Sequence, residues 1–150
     1  MATLTAARAA ANFPVSAYAG AGVLQVAYGS YTLAANPTVN DVIQFCKVPA
    51  GAVVLGGWLR GEDIDTGTET LDIDIGWTAD TDGFGNFGVI TGDVVTELKP
   101  EVSILLPLNG TLKSGPVTFT SETTIQGLVN AVAQAGGTGV LWLTVLFVVP

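Results

Sequence analysis

Between Thr70 and Trp77 apolar and polar side chains alternate strictly. Leu71, Ile73, Ile75 and Trp77 fall on one side, and Thr70, Asp72, Asp74 and Gly76 on the other. Period two predicts a strand with one buried and one wet face, whereas a helix would scatter the aspartates round its circumference. Further β-rich runs cover 23–33, 42–48, 52–60, 102–108, 116–120, 123–133 and 139–149, with the alternating run itself spanning 68–77. Turn chemistry separates them: Asn36-Pro37, Asn40-Asp41 and Pro49-Ala50-Gly51. Gly56-Gly57, in the middle of an apolar run, predicts a bulge or a close backbone approach. The Gly- and Asp-rich stretch 78–92 is expected to be a loop.

The last two runs flank Gly136-Gly137-Thr138 and are expected to pair as a terminal hairpin. A helix over 125–135 is disfavoured by its β-branched residues and by Gly127. The final run is apolar on both faces, with Leu141, Leu143, Val145 and Phe147 on one and Val140, Trp142, Leu146 and Val148 on the other. An antiparallel strand normally wets one face, so the second is expected to be covered by another subunit. Trp142, Leu146 and Val148 are the candidate contact residues.

Residues 1–22 are Ala- and Gly-rich with little pattern and are expected to form an N-terminal arm, leaving 23–150 as the folded domain. About eight short strands without a convincing helix predict an all-β chain, a sandwich or a barrel. The preferred architecture is a single-domain antiparallel jelly-roll-like β-sandwich. No internal repeat is visible.

Composition adds a constraint. Charged residues make up 12% of the 150 residues, against about 25% in ordinary globular domains, and the mean hydropathy is +0.52. So few charges cover a complete surface poorly, which again implies contact with another chain. The net charge of −8 repels phosphate backbones and argues against nucleic-acid binding. Eight carboxylates crowd between Glu62 and Asp82 and are expected to form a solvated face. Cys46 is the lone cysteine, so no intrachain disulfide can form and folding in a reducing cytoplasm is permitted. The opening residues lack the apolar core of a signal peptide, and the run 140–149 is about half the length of a membrane helix.

Candidate chemistry is sparse. The chain has no histidine, which removes the commonest general base and metal ligand. Cys46, between Phe45 and Lys47 in a predicted strand, is expected to be a buried and inert thiol. The glycine spacing of Gly83-Phe-Gly-Asn-Phe-Gly88 matches a dinucleotide fingerprint, but no predicted helix follows to hold a pyrophosphate. Asp72 and Asp74 lie about 7 Å apart along one strand face. Paired carboxylates at such spacing can serve glycoside hydrolysis, yet alternating exposed aspartate is ordinary on a wet strand face. Asp80, Asp82 and Asn86 offer oxygen ligands at spacings like the first half of a calcium loop. The twelfth position is Thr91 instead of a bidentate glutamate, so a plain turn is expected. Asn109-Gly-Thr111 has the form of a glycosylation acceptor without a secretory context. No cofactor is expected.

Several stretches together resemble a family of small structural proteins of tailed bacteriophages. They are the segments 31–38 (YTLAANPT), 51–67 (GAVVLGGWLRGEDIDTG), 70–77 (TLDIDIGW), 82–86 (DGFGN), 88–93 (GVITGD) and 122–130 (ETTIQGLVN). The likeness runs from about residue 25 to 150. It implies a head decoration, or cement, protein: a non-enzymatic jelly-roll subunit, trimeric, bound to the major capsid protein on the outside of the virion and assembled in the host cytoplasm. The family pattern supplies no ligand residues that transfer one by one. The alternative is a phage fibre or receptor-binding jelly roll for carbohydrate, with Trp58, Trp77 or Trp142 stacking on sugar rings, although Trp77 and Trp142 lie in apolar settings that suit core or interface. A third class is an enzyme using Asp72 or Asp74.

Overall fold

A computed structural model describes residues 1–6, 9–10, 22–62, 64–68, 70–86, 103–106 and 111–150, the segment 103–106 by its backbone. Among the described residues there are ten strands: β1 Thr3–Thr5, β2 Gln25–Leu33, β3 Val42–Val48, β4 Val53–Gly61, β5 Asp72–Trp77, β6 Asp80–Asn86, β7 Ser103–Leu106, β8 Val117–Thr118, β9 Thr123–Ala131 and β10 Gly139–Val148. They form two sheets, one ordered β1-β3-β9-β5-β6 and the other β2-β10-β4-β7, with β8 added beside β4. Without the three-residue β1 and the two-residue β8, eight principal strands remain. First pairs with last and third with sixth in one sheet; second pairs with seventh and fourth with fifth in the other. That nesting is a jelly roll, two Greek keys folded over each other. The all-β sandwich expected from the alternation is therefore the observed fold.

Alternation explains the core. Phe45, Ile73, Ile75, Phe84, Ile125 and Val129 point inward from the first sheet, and Leu59, Leu141, Leu143, Val145 and Phe147 point inward from the second. In β4 the register shifts opposite Leu146 and Phe147, at the predicted bulge. The bulge resets the phase, so Val54 and Leu59 both face inward while Leu55 and Trp58 both face outward. Cys46 is buried, as expected.

Two expectations are corrected. The stretch 78–92 is not a loop throughout, because Asp80–Asn86 forms β6 against β5. Its glycines admit neighbouring groups: a Cβ at Gly83 would sit 2.2 Å from the Trp77 ring. The second correction concerns the C-terminal strands. β9 and β10 do not form a hairpin: β9 pairs with β3 and β5, whereas β10 pairs with β2 and β4 in the opposite sheet. Gly136 and Gly137 do take positive φ, 83° and 77°, as a tight turn requires. The turn is instead held by the segment near Ile64, whose carbonyl accepts the Gly137 N–H at 2.7 Å.

Of the expected arm, residues 7, 8 and 11–21 lie outside the described residues. Thr3–Thr5 runs parallel to β3 in the first sheet. The Asp41 carboxylate fixes that start, accepting the Ala2 N–H at 3.0 Å and the Thr38 N–H at 2.9 Å. Those backbone donors, Thr38 foremost, hold the Asp41 carboxyl below the usual carboxylate range.

Candidate functional site: two unlike outer faces

The outward positions of β2, β4 and β10 are built from the second half of each alternation. Val26 and Tyr28 from β2, Leu55 and Trp58 from β4, and Trp142 and Leu146 from β10 make one apolar surface. Register brings them together in rows. Val26 lies beside Leu146, Tyr28 beside Thr144, and Thr144 beside Trp58. Tyr28 is 50% exposed, Val26 45%, Leu55 44% and Trp58 37%. Such a cluster of large exposed apolar side chains is uncommon on an isolated domain.

Arg60 carries the positive charge on this face among the described side chains of β2, β4 and β10, and its guanidinium lies 5.3 Å from the Trp142 ring centroid. The cation–π contact sets the guanidinium against an aromatic surface, while Arg60 itself stays exposed. Trp142, Leu146 and Val148 are each half-buried on this outer face, while Leu141, Leu143, Val145 and Phe147 are fully buried on the other.

The opposite outer face is polar. Gln44 from β3, Gln126 and Asn130 from β9, and Asp72 and Asp74 from β5 cover it. The aspartates are not simply solvated: Asp74 is 8% exposed. The Asn86 side-chain amide donates to Asp74 at 2.6 Å and to Asp72 at 3.3 Å. Burial is the main cause that pushes the Asp74 carboxyl above its ordinary value, aided by the neighbouring Asp72 charge and opposed by the amides of Asn130 and Asn86.

The remaining acidic residues disperse into separate roles. Glu62 accepts the Val140 N–H at 2.8 Å, joining β4 to the start of β10. Asp65 is 7% exposed and caps backbone donors. Asp63 and Glu69 lie outside the described residues. The sequence pattern could not separate these functions, because each depends on a partner more than sixty residues away or on the twist of a loop.

The calcium-like residues sit on a strand. Asn86 turns toward Asp72 and Asp74, Asp80 accepts the Thr111 hydroxyl, and Asp82 lies near Asp80. The hydrogen bond that a protonated Asp82 can donate to Asp80, with burial, raises the Asp82 carboxyl above its usual value. Among the described residues no group of three or more acidic, histidine or cysteine side chains could hold a metal ion. None of the described helices could cross a membrane.

No protein-family model and no curated protein matches the sequence. The fold does have solved counterparts. A chain of the capsid of Ralstonia phage GP4 aligns over 99% of each partner at 15% identity with a TM-score of 0.76. A chain of the cyanophage Pam1 capsid asymmetric unit covers 93% of this chain and 94% of its own at 22% identity, TM-score 0.69. The acid-stable capsid structure of Helicobacter pylori bacteriophage KHP30 contains a third, covering 87% of this chain and 91% of its own at 18% identity, TM-score 0.61. The chain shares its sandwich with components of phage capsid structures.

Proposed function

We propose that this chain is a structural protein of a tailed-phage virion, a decoration or cement subunit that binds the major capsid protein on the outside of the head. The observation that carries this reading is the contrast between the two outer faces. An apolar face free of carboxylates, with Arg60 as its charge, suits burial against a copy of the same chain, since subunits of net charge −8 can approach there without opposing their carboxylates. The polar face with the partly buried Asp72 and the buried Asp74 then stays outside that contact. Closed cyclic symmetry buries such an apolar surface when one part of it meets a different part on the next copy, head to tail, and a homotrimer is the expected state. Fold likeness to chains of three phage capsid structures supports the placement in a virion. The subunit has no catalytic role in this reading, and the N-terminal stretch up to residue 22, anchored through Thr3–Thr5 to the first sheet, serves contact with the lattice or a neighbouring subunit.

Binding to an assembled lattice shifts stability toward the shell by mass action. A trimer multiplies modest single contacts through effective concentration once one subunit has docked. The test mixes purified protein with undecorated heads, sediments them, and compares DNA release from bare and decorated particles on heating. Light scattering is expected to give about three times the monomer mass. Tyr28→Glu, at an exposed position, and Leu146→Asp are each expected to dissociate the oligomer while the Tyr28 variant stays folded. A wild-type monomer that neither sediments with heads nor alters their rupture temperature overturns the proposal.

A further inference from the structure

At one end of the sandwich the β5–β6 turn and the segment 118–124 enclose an open cleft of about 520 Å³. This is within the span of small-molecule sites, about 300–1,000 Å³. We infer that this cleft binds a neutral saccharide, an activity separate from assembly through the apolar sheet face.

Trp77 is the first reason. Its indole is half-buried and forms part of the cleft wall. The ring is fixed from several sides. Gly83 lies so close that a Cβ there would meet it at 2.2 Å. Phe119 meets it edge-on with centroids 5.0 Å apart, and Phe84 is tilted against it at 5.4 Å. A side chain already immobilised loses little rotamer freedom when a ligand arrives. An aromatic surface attracts the weakly positive C–H groups of a pyranose ring.

The second reason is the remainder of the wall. Thr78, Thr118, Thr120, Ser121 and Thr124 bring hydroxyls, each able to donate and accept. The Gln44 side chain adds an amide. An apolar ligand would strand these groups, whereas a polyol pairs with them. Charge decides the remaining choice. Glu122 is the charged side chain in the wall, and it is already paired with Lys47 at 3.1 Å. The net charge of −8 disfavours an anionic sugar, and Glu122 with Lys47 on one oxygen adds no net charge to the wall. Hydroxyls around one fixed aromatic surface, with no uncompensated charge, match an uncharged oligosaccharide. Trp58 and Trp142 lack such a setting, since they lie on the flat face where apolar side chains dominate.

The experiment titrates the full chain with maltotriose, mannotriose and chitotriose, and with sialyllactose as the anionic control, following saturation-transfer NMR and calorimetry. At least one neutral trisaccharide is expected to bind with a dissociation constant in the millimolar range or tighter, and sialyllactose is expected to bind at least about tenfold more weakly, a difference near 1.4 kcal/mol. Trp77→Ala is expected to abolish binding. Because that change also removes packing from Phe84 and Phe119, Thr120→Lys provides a second arm: the site is exposed, so melting should be unchanged while the cleft is blocked. Absence of any neutral ligand at millimolar concentration overturns the inference, as does preference for sialyllactose or binding that survives Thr120→Lys. Loss of head binding in Thr120→Lys with trisaccharide binding retained also overturns it, by making the cleft a protein-docking surface. Oligomeric state and head sedimentation are independent of the saccharide titration, so either proposal can fail alone.

Discussion

The carboxylate of Asp65 accepts the backbone N–H of Gln134 at 3.1 Å, joining segments 69 residues apart in the chain. The same group accepts the N–H groups of Thr70 at 2.7 Å, Leu71 at 3.0 Å and Ala135 at 3.3 Å. Burial opposes the charge, but these four backbone donors outweigh it and hold the carboxyl below its usual value. One side chain therefore fixes both the β4–β5 connection and the β9–β10 crossover.

Asp65→Asn is expected to destabilise the fold by about 1.5–3 kcal/mol, the range for hydrogen bonds to a charged group. A depressed folded-state pKa gives stability that is present above the unfolded value, about 3.9, and lost as pH falls through the lower folded value. The acid limb of the wild-type stability curve should accordingly be steeper than that of the variant. Chemical denaturation between neutral pH and about pH 2.5 measures both; equal slopes would remove Asp65 from the account.

Asp74 has the opposite sign. Its raised folded-state pKa makes the charged form unfavourable in the fold, so stability rises as pH falls through that value toward the unfolded one. Asp74→Asn is expected to melt several degrees higher than wild type at pH 7. The advantage should shrink as pH drops and Asp74 becomes protonated in the wild type. A lower melting temperature at neutral pH would show that the Asn86 and Asn130 contacts need the full charge.

Gly29 and Phe45 meet across the two sheets, where a Cβ on Gly29 would lie 2.0 Å from the Phe45 carbonyl oxygen. That oxygen is backbone and cannot swing aside. Gly29→Ala is expected to cost about 3 kcal/mol or more through overpacking. Ser30→Ala, on the exposed side of the same strand, should leave thermal melting within about 2 °C of wild type. Similar melting temperatures for the two variants would contradict the contact.

Gln25 is 7% exposed, and neither its side-chain oxygen nor its nitrogen finds a hydrogen-bond partner among the described residues. An unsatisfied buried amide costs about 1–3 kcal/mol. Gln25→Met keeps the shape and removes the polar atoms, so its denaturation midpoint should rise. A fall would show that the amide is satisfied in solution by an internal water.

The legible parts of this fold were those in which local chemistry and tertiary context agree. Val42–Val48 stands between Asp41 and Pro49, and its limits can be read directly from those residues. β6 was illegible because glycine and aspartate are poor strand formers. Gly83 is there to admit the Trp77 ring, a requirement visible only once the two strands are adjacent. The Gly136-Gly137 turn satisfies hairpin geometry equally well when it crosses between sheets, so local sequence could not choose. The apolar outer face was half legible. Trp142, Leu146 and Val148 could be picked from one strand, but their neighbours Tyr28, Leu55 and Trp58 required the register. The saccharide cleft joins Trp77 to residues 118–124, and nothing in the spacing of the chain announces that meeting.

The pairing of the first principal strand with the last has a consequence for synthesis. Gln25 faces Phe147 across β2 and β10, and β10 is the strand that lies between β2 and β4. Until β10, residues 139–148, emerges from the ribosome, β2 has no hydrogen-bonded neighbour in its sheet. At about 5–20 residues per second, that interval is on the order of ten seconds. Throughout it, a nine-residue strand without charge or proline presents open hydrogen-bonding edges to other nascent chains. Slowing translation would lengthen this vulnerable interval, whereas a chaperone that shields β2 until β10 arrives would raise the yield of folded subunits without touching any interaction in the finished sandwich.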